Sequence, residues 1–213
     1  VINCAAYTAV DACETDLERC MAVNATGPEL LARQCAAHGA RLVQISTDYV
    51  FDGNRPAPAF YTEADTPNPL SMYGRSKQAG DDAVQAYADN FLILRTAWLY
   101  GIGNRNFLKT MLRLAAERPT LRVVGDQHGC PTSARDITAA LQTIVLKMIA
   151  HADAPTGVYH FVNDGETTWA GLATEIFALG AAMGGPTAAV ESIPSSEYPT
   201  PARRPANSRL STQ

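Results

Sequence analysis

The sequence predicts an α/β fold with a mostly parallel sheet. Three observations carry that prediction. Short apolar runs alternate with amphipathic stretches of helical spacing, turn and capping residues fall between them, and 213 residues at 46% hydrophobic content suffice to bury a sizeable core.

The apolar run VINCAA (1–6) reads as a buried strand, and it begins without an initiator Met or a preceding turn, which predicts an N-terminal truncation. Further strands are expected at 41–46, 91–96, 121–124 and 158–162. Helices are expected at 17–38, 72–88, 106–117 and 133–150, each with apolar residues at helical spacing such as Phe107, Met111 and Leu114. Asp16 and Ser133 are credible N-caps, Gly39 follows a plausible helix end, and Pro28 should kink or divide the first helix. The segment 52–70, with Pro56, Pro58, Pro67 and Pro69, is too proline-rich for regular structure and has the length of a functional loop. After Thr168 come a helix to about residue 179, a glycine-rich break, a strand at 189–193 and a Pro-rich tail.

Composition narrows the function classes. A formal net charge of -4 and a pI near 5.5, without a basic run, leave no electrostatic footprint for nucleic acid or an anionic membrane surface. No apolar stretch approaches the ~20 residues needed to span a bilayer, so the cytoplasm is the default compartment. The five cysteines are scattered, without a C-x-x-C pair, and read as reduced, mostly buried small hydrophobes. The four histidines lack ligand spacing, so no metal ligand is assigned.

In an open parallel sheet, ligands bind outside the carboxyl ends of the strands. Thr47 and Asp48 emerge there from RLVQIS, Ala6, Tyr7 and Thr8 from VINCAA, and Trp98 from FLILR. The stretch YGRSK places Tyr73 and Lys77 at i and i+4, on one helix face after the long loop. A phenol with a pKa near 10 is a poor acid at neutral pH, and a nearby ammonium favours its ionised form. A hydroxyl such as Thr47 can bond the same substrate oxygen and complete a proton-transfer site. Reduction of a ketone needs such an acid at oxygen while hydride arrives at carbon.

The order NCAAYTAVD, STDYVFDG, YGRSK, LRTAWLYG, GDQHGCPT and YPTPARRPANSRLST resembles the dTDP-4-dehydrorhamnose reductase family of extended short-chain dehydrogenases/reductases, over essentially the whole chain. The resemblance implies NADPH- or NADH-dependent reduction of the 4-keto group of dTDP-4-dehydro-β-L-rhamnose to dTDP-L-rhamnose. By motif, Tyr73 would be the proton donor, Lys77 would lower its pKa and bind the nicotinamide ribose, and Thr47 would complete the catalytic triad. Asp48 would join Thr47 at the sugar, Trp98 would line the sugar pocket, and Ala6, Tyr7 and Thr8 would lie against the cofactor. Some relatives carry Mg²⁺ at an interface, and a homodimer is possible. Arg203 and Arg204 read as solvated tail charge, with a bidentate grip on a diphosphate as the other reading, and are left outside the site. The alternative function is a non-catalytic regulatory subunit on the same fold, resembling the methionine adenosyltransferase β-subunit. A related epimerase or dehydratase fits STDYVFDG less well.

The resemblance implies a Rossmann-like, doubly wound parallel sheet lacking its first βαβ units with a small C-terminal substrate-binding region, divided as 1–130, a partial dinucleotide-binding unit, and 131–213, mainly a substrate-binding region partly interleaved with the first. No G-x-x-G-x-x-G run lies between a strand and a helix, although a dinucleotide-binding half normally opens with one. The family places that motif upstream of Val1, and its C-terminal helical segment is expected to be cut off after Gln213. These 213 residues alone are therefore expected to show an apolar sheet edge and to bind NADPH weakly.

Overall fold

The structure is a computed structural model that describes residues 1–103, 105–151 and 153–213. Its elements run in the order β1 (Ile2–Asn3), α1 (Leu17–Met21), α2 (Gly27–Ala37), β2 (Leu42–Thr47), α3 (Met72–Tyr87), β3 (Phe91–Thr96), β4 (Leu99–Tyr100) and α4 (Phe107–Ala115). Then come β5 (Thr120–Val124), β6 (His128–Gly129), β7 (Thr132–Ser133), α5 (Ala134–Ala150), β8 (Gly157–His160), β9 (Thr167–Thr168), α6 (Trp169–Ala182) and β10 (Ala189–Ile193).

The main sheet is parallel, in the order β1-β2-β3-β8. Helices cover both of its faces, as burial on two sides requires of a parallel sheet. On one face Ala32 and Cys35 of α2 and Val84 of α3 pack on Leu42 and Ile93. On the other, Ile137 and Met148 of α5 pack on Val43, Leu92 and Leu94. The doubly wound α/β prediction therefore holds. A second core forms where β5 pairs with β10 in parallel and α4 and α6 cover the pair through Met111, Leu121, Val123, Ala173 and Phe177. The chain visits the main sheet again through α5 and β8 before closing this second layer with β10, so the two layers share their connections.

Two boundaries differ from expectation for local reasons. β1 stops at Asn3 rather than residue 6, because the Asn3 Oδ1 accepts from Ala5 N at 3.1 Å and turns the chain out of the ladder. β1 is an edge strand, and Val1 and Ile2 are exposed, whereas the apolar run reads as a buried strand. The first predicted helix is divided, and the break lies just ahead of Pro28. Proline lacks an N–H and its ring crowds the carbonyl four residues back, here that of Asn24. The backbone responds with a π-helical turn at Ala22–Thr26, leaving Pro28 in the first turn of α2. The displaced Asn24 carbonyl fits against Gly80 of α3, where any Cβ would collide with it. Asp16 stands at the N-cap of α1 but its side chain makes no capping hydrogen bond, whereas the Ser133 Oγ accepts from the Arg135 and Asp136 amides.

The loop between β2 and α3 is irregular but tied down. Asp52 accepts from the Tyr61 hydroxyl at 2.8 Å and from Asn68 Nδ2 at 3.0 Å, Arg55 pairs with Asp65 at 2.6 Å, and Phe51 stacks on Tyr61. Such anchoring delivers α3 to a fixed place at the sheet rim. Four of the five cysteines are buried and none is disulfide-bonded. Among the described residues no helix is long and apolar enough to cross a membrane.

Candidate active site

β2 and β3 pair in full register, from Leu42 opposite Phe91 to Thr47 opposite Thr96, which places Thr47 at the carboxyl end of the central strands. The chain then tightens into a 3-10 turn at Asp48–Val50, and the Thr47 Oγ1 caps it by accepting from Tyr49 N at 3.2 Å. The same hydroxyl donates to Asp48 Oδ1 at 2.9 Å. Both residues are buried. Burial pushes the Asp48 carboxyl up to about 6, and the hydroxyls of Ser208 and Thr47 offset only part of that rise.

Tyr73 enters from the first turn of α3, whose N-cap Ser71 accepts from Gly74 N at 3.1 Å. Gly74 lies so close to the Tyr49 carbonyl that a side chain there would collide with it, and this approach brings the helix start onto the strand-end turn. The Tyr73 ring meets Tyr49 edge-on at 5.4 Å between centroids and packs with Cys13, Cys20 and Tyr7. Burial raises the phenol above the ordinary tyrosine range; the Thr47 hydroxyl lowers it, and Asp48 and Tyr49 raise it further.

Lys77, one turn on, is 2% exposed and donates from Nζ to the Ile45 carbonyl at 2.6 Å. Desolvation pushes its ammonium below the ordinary lysine range, opposed by Asp81. The phenol is thus not lowered as the motif implied. Thr47 is the side chain that favours its ionised form, and burial outweighs it, while Lys77 turns towards the strand backbone.

Of the residues after β1, Tyr7 joins the Tyr73 cluster. Its amide donates to Asn24 Oδ1 at 2.8 Å and its carbonyl accepts from Asn24 Nδ2 at 3.0 Å, so the π-helical turn holds this loop in place. Ala6 is half-buried and Thr8 exposed beside it.

A cavity of about 1010 Å³, joined to this rim through Arg204 and Tyr49, has walls that include Phe107, Gln127, Trp169, Tyr198, Arg203 and Arg204. Trp98 stacks face to face on Trp169, ring centroids 3.4 Å apart, and the Trp169 Nε1 donates to Gln127 Oε1 at 3.2 Å. The Trp98 backbone has φ of 48°, a conformation that a bulky residue adopts only when its surroundings impose it. Gly129 lies directly under the indole, with no room for a Cβ. Arg204 is not solvated tail charge: it donates to the Tyr49 hydroxyl at 3.2 Å and to Asp11 Oδ2 at 2.8 Å. It thereby links the cavity wall to the tyrosine that touches Tyr73, while Arg203 lines the same wall and is exposed. Sequence reading weighed Arg204 but left it outside the site, and it missed Trp169 and Asp11, because Arg204 and Asp11, 193 positions apart, meet only in the fold. The RRPANSRL motif was the one available signal for the arginine.

Thr47 at a strand end, Tyr73 at a helix start and Lys77 four residues on thus stand at the carboxyl edge of a parallel α/β sheet. The family model for the RmlD substrate binding domain matches residues 1–213. The dTDP-4-dehydrorhamnose reductase of Sinorhizobium fredii is 46% identical over 99% of this chain and 71% of its own length, and that of Escherichia coli is 42% identical over 100% and 71%. Among solved structures, the Bacillus anthracis dTDP-4-dehydrorhamnose reductase in complex with NADP superposes with a TM-score of 0.91 at 36% identity, covering 100% of this chain and 71% of that one. The chain belongs to the dTDP-4-dehydrorhamnose reductase family.

Proposed function

We propose that this chain carries the ketone-reducing centre of an enzyme that converts dTDP-4-dehydro-β-L-rhamnose into dTDP-L-rhamnose with NADPH. The observation that carries the reading is the convergence of Thr47, Tyr73 and Lys77 at one sheet rim beside a nucleotide-sized cavity.

The residues present fit the nicotinamide end of the cofactor. Lys77 spends one of its three N–H donors on Ile45, leaving donors for a ribose diol, and Tyr7 and Tyr73 form an adjoining wall. A glycine-rich pyrophosphate cradle does not occur in this sequence. When bound, NADPH supplies the hydride to the carbonyl carbon; NADP is the cofactor in the Bacillus anthracis relative. Tyr73 gives its proton to the ketone oxygen. Its raised pKa keeps the phenol protonated at neutral pH, the form a general acid requires. Thr47 holds the ketone oxygen and favours the phenolate as the proton leaves, and Asp48 takes a neighbouring sugar hydroxyl. Arg203 and Arg204 supply cationic donors for a diphosphate, and Trp169, held by its stack on Trp98, offers an apolar face to the sugar or base; Trp98 itself does not line the cavity. The cytoplasm is the compartment of this reading. The regulatory-subunit alternative has no observation in its favour.

The test is NADPH oxidation followed by absorbance, with the 4-keto sugar nucleotide and the full-length polypeptide. Tyr73→Phe is expected to lower kcat about 100- to 10,000-fold while leaving the NADPH dissociation constant unchanged. Undiminished turnover in that variant would remove Tyr73 as the acid.

A further inference from the structure

Beneath Lys77 lies a buried ion pair that proton transfer by Tyr73 leaves without a task. Asp81 stands one helical turn beyond Lys77 on α3 and is 0% exposed. Its Oδ2 accepts from Ser46 Oγ at 2.6 Å and lies 3.6 Å from Nε of Arg95, a β3 residue that is 3% exposed. The other carboxylate oxygen, Oδ1, has no hydrogen-bond partner among the described residues. Lys77 grips Ile45 on β2, and Asp81 grips the next residue, Ser46. Residues at i and i+4 share a helix face, so both side chains leave α3 towards the same two residues of one strand.

Stability alone does not account for this arrangement. Two buried cations set against one carboxylate cost desolvation that apolar side chains of equal volume would avoid. What a carboxylate provides there, and an apolar residue would not, is a counter-charge for the lysine.

We propose that Asp81, clamped by Ser46 and Arg95, is a positioning residue for the reduction: it keeps the Lys77 ammonium charged and held on the strand backbone one helical turn from Tyr73. The inference rests on the role given to Lys77 under the proposed function. Asp81 is the charged group acting on Lys77; Tyr73 lies on the same helix, Asp48 follows β2 beside the Thr47 hydroxyl, and Arg95 of β3 lies against Asp81. Tyr7, Cys13 and Cys20 pack on Tyr73 from the segments that follow β1. Burial drives the ammonium down, and Asp81 is the group that opposes it. Arg95, 3.6 Å from the same carboxylate, competes for that charge.

Two substitutions in the full-length polypeptide should therefore act in opposite directions. Asp81→Asn keeps an acceptor for Ser46 and removes the charge, and Arg95→Met removes the competing cation. The Lys77 midpoint is read by NMR of labelled lysine side chains without cofactor, assigned by Lys77→Arg, and the alkaline limb of kcat/KM is recorded separately. Asp81→Asn is expected to lower both by about one pH unit, a tenfold change in the ammonium-to-amine ratio. Arg95→Met is expected to raise the midpoint, and Asp81→Glu to restore the wild-type value. Unchanged Lys77 midpoints in both variants, with only the melting temperature reduced, would make Asp81 an inert clamp and overturn the proposal. If Asp81→Asn does not fold, Arg95→Met decides alone, and a midpoint that stays or falls rejects the idea. A wild-type enzyme without turnover on the 4-keto sugar nucleotide would remove the functional reading, while the cofactor-free titration would still test Asp81.

Discussion

Replacing Asp48 by Asn removes a carboxyl that the fold holds at about 6 against an ordinary value of 3.8. The unfolded chain releases that proton near 3.8, and the folded chain keeps it until about 6. Between the two values the native state binds more protons, so raising the pH through this window destabilises it. The contribution is fully present below the unfolded value and lost above the folded one. At 1.36 kcal/mol per pH unit the loss amounts to about 3 kcal/mol, an order-of-magnitude figure for a group only 2% exposed. Asparagine keeps an oxygen for the Thr47 hydroxyl and cannot ionise. Relative to wild type, Asp48→Asn should therefore gain stability as pH rises from about 4 to about 7.5, by up to roughly 3 kcal/mol. Urea unfolding monitored by circular dichroism at several pH values measures this directly. Carboxylates whose pKa is lowered, such as Asp52, Asp65 and Asp126, have the opposite pH dependence, but they are common to both proteins and cancel in the difference. A stability difference that stays constant across the range would refute the reasoning, because it would mean that burial does not hold a proton on Asp48.

Gly129→Ala should push the Trp98 indole off Trp169, since the new methyl group falls within the ring; the expected outcome is altered tryptophan fluorescence and a raised KM for the sugar nucleotide. Arg204→Leu should cost about 1–3 kcal/mol of substrate affinity, seen as a rise in KM larger than any fall in kcat, because it removes a charged donor from the cavity wall and frees Tyr49. An unchanged KM would return the arginine to a structural role at Asp11.

The rim residues were legible for a simple reason. Thr47 follows an apolar strand and Tyr73 begins an amphipathic helix, and in a parallel sheet every strand end points to one edge. Local periodicity therefore implied a non-local meeting. Arg204 gave no such sign, because its partners Asp11 and Tyr49 belong to segments far away in the chain and its charge looked like ordinary solvated polarity. Asp81 sat in view, four residues after Lys77, but an i,i+4 Lys–Asp pair on a helix is usually exposed, and only the packing of α3 on β2 and β3 shows it sealed from water.

The sequence by itself determined the alternation of strands and helices, the side of the sheet where chemistry would gather, and the tyrosine, lysine and threonine that gather there. Period and spacing are properties of the covalent chain, so they can be read along it. Tertiary structure alone decided the electrostatic state of those groups. Burial raised the Tyr73 phenol and the Asp48 carboxyl and lowered the Lys77 ammonium, and the sign of each shift depends on how much water the fold excludes and on which charges it brings alongside.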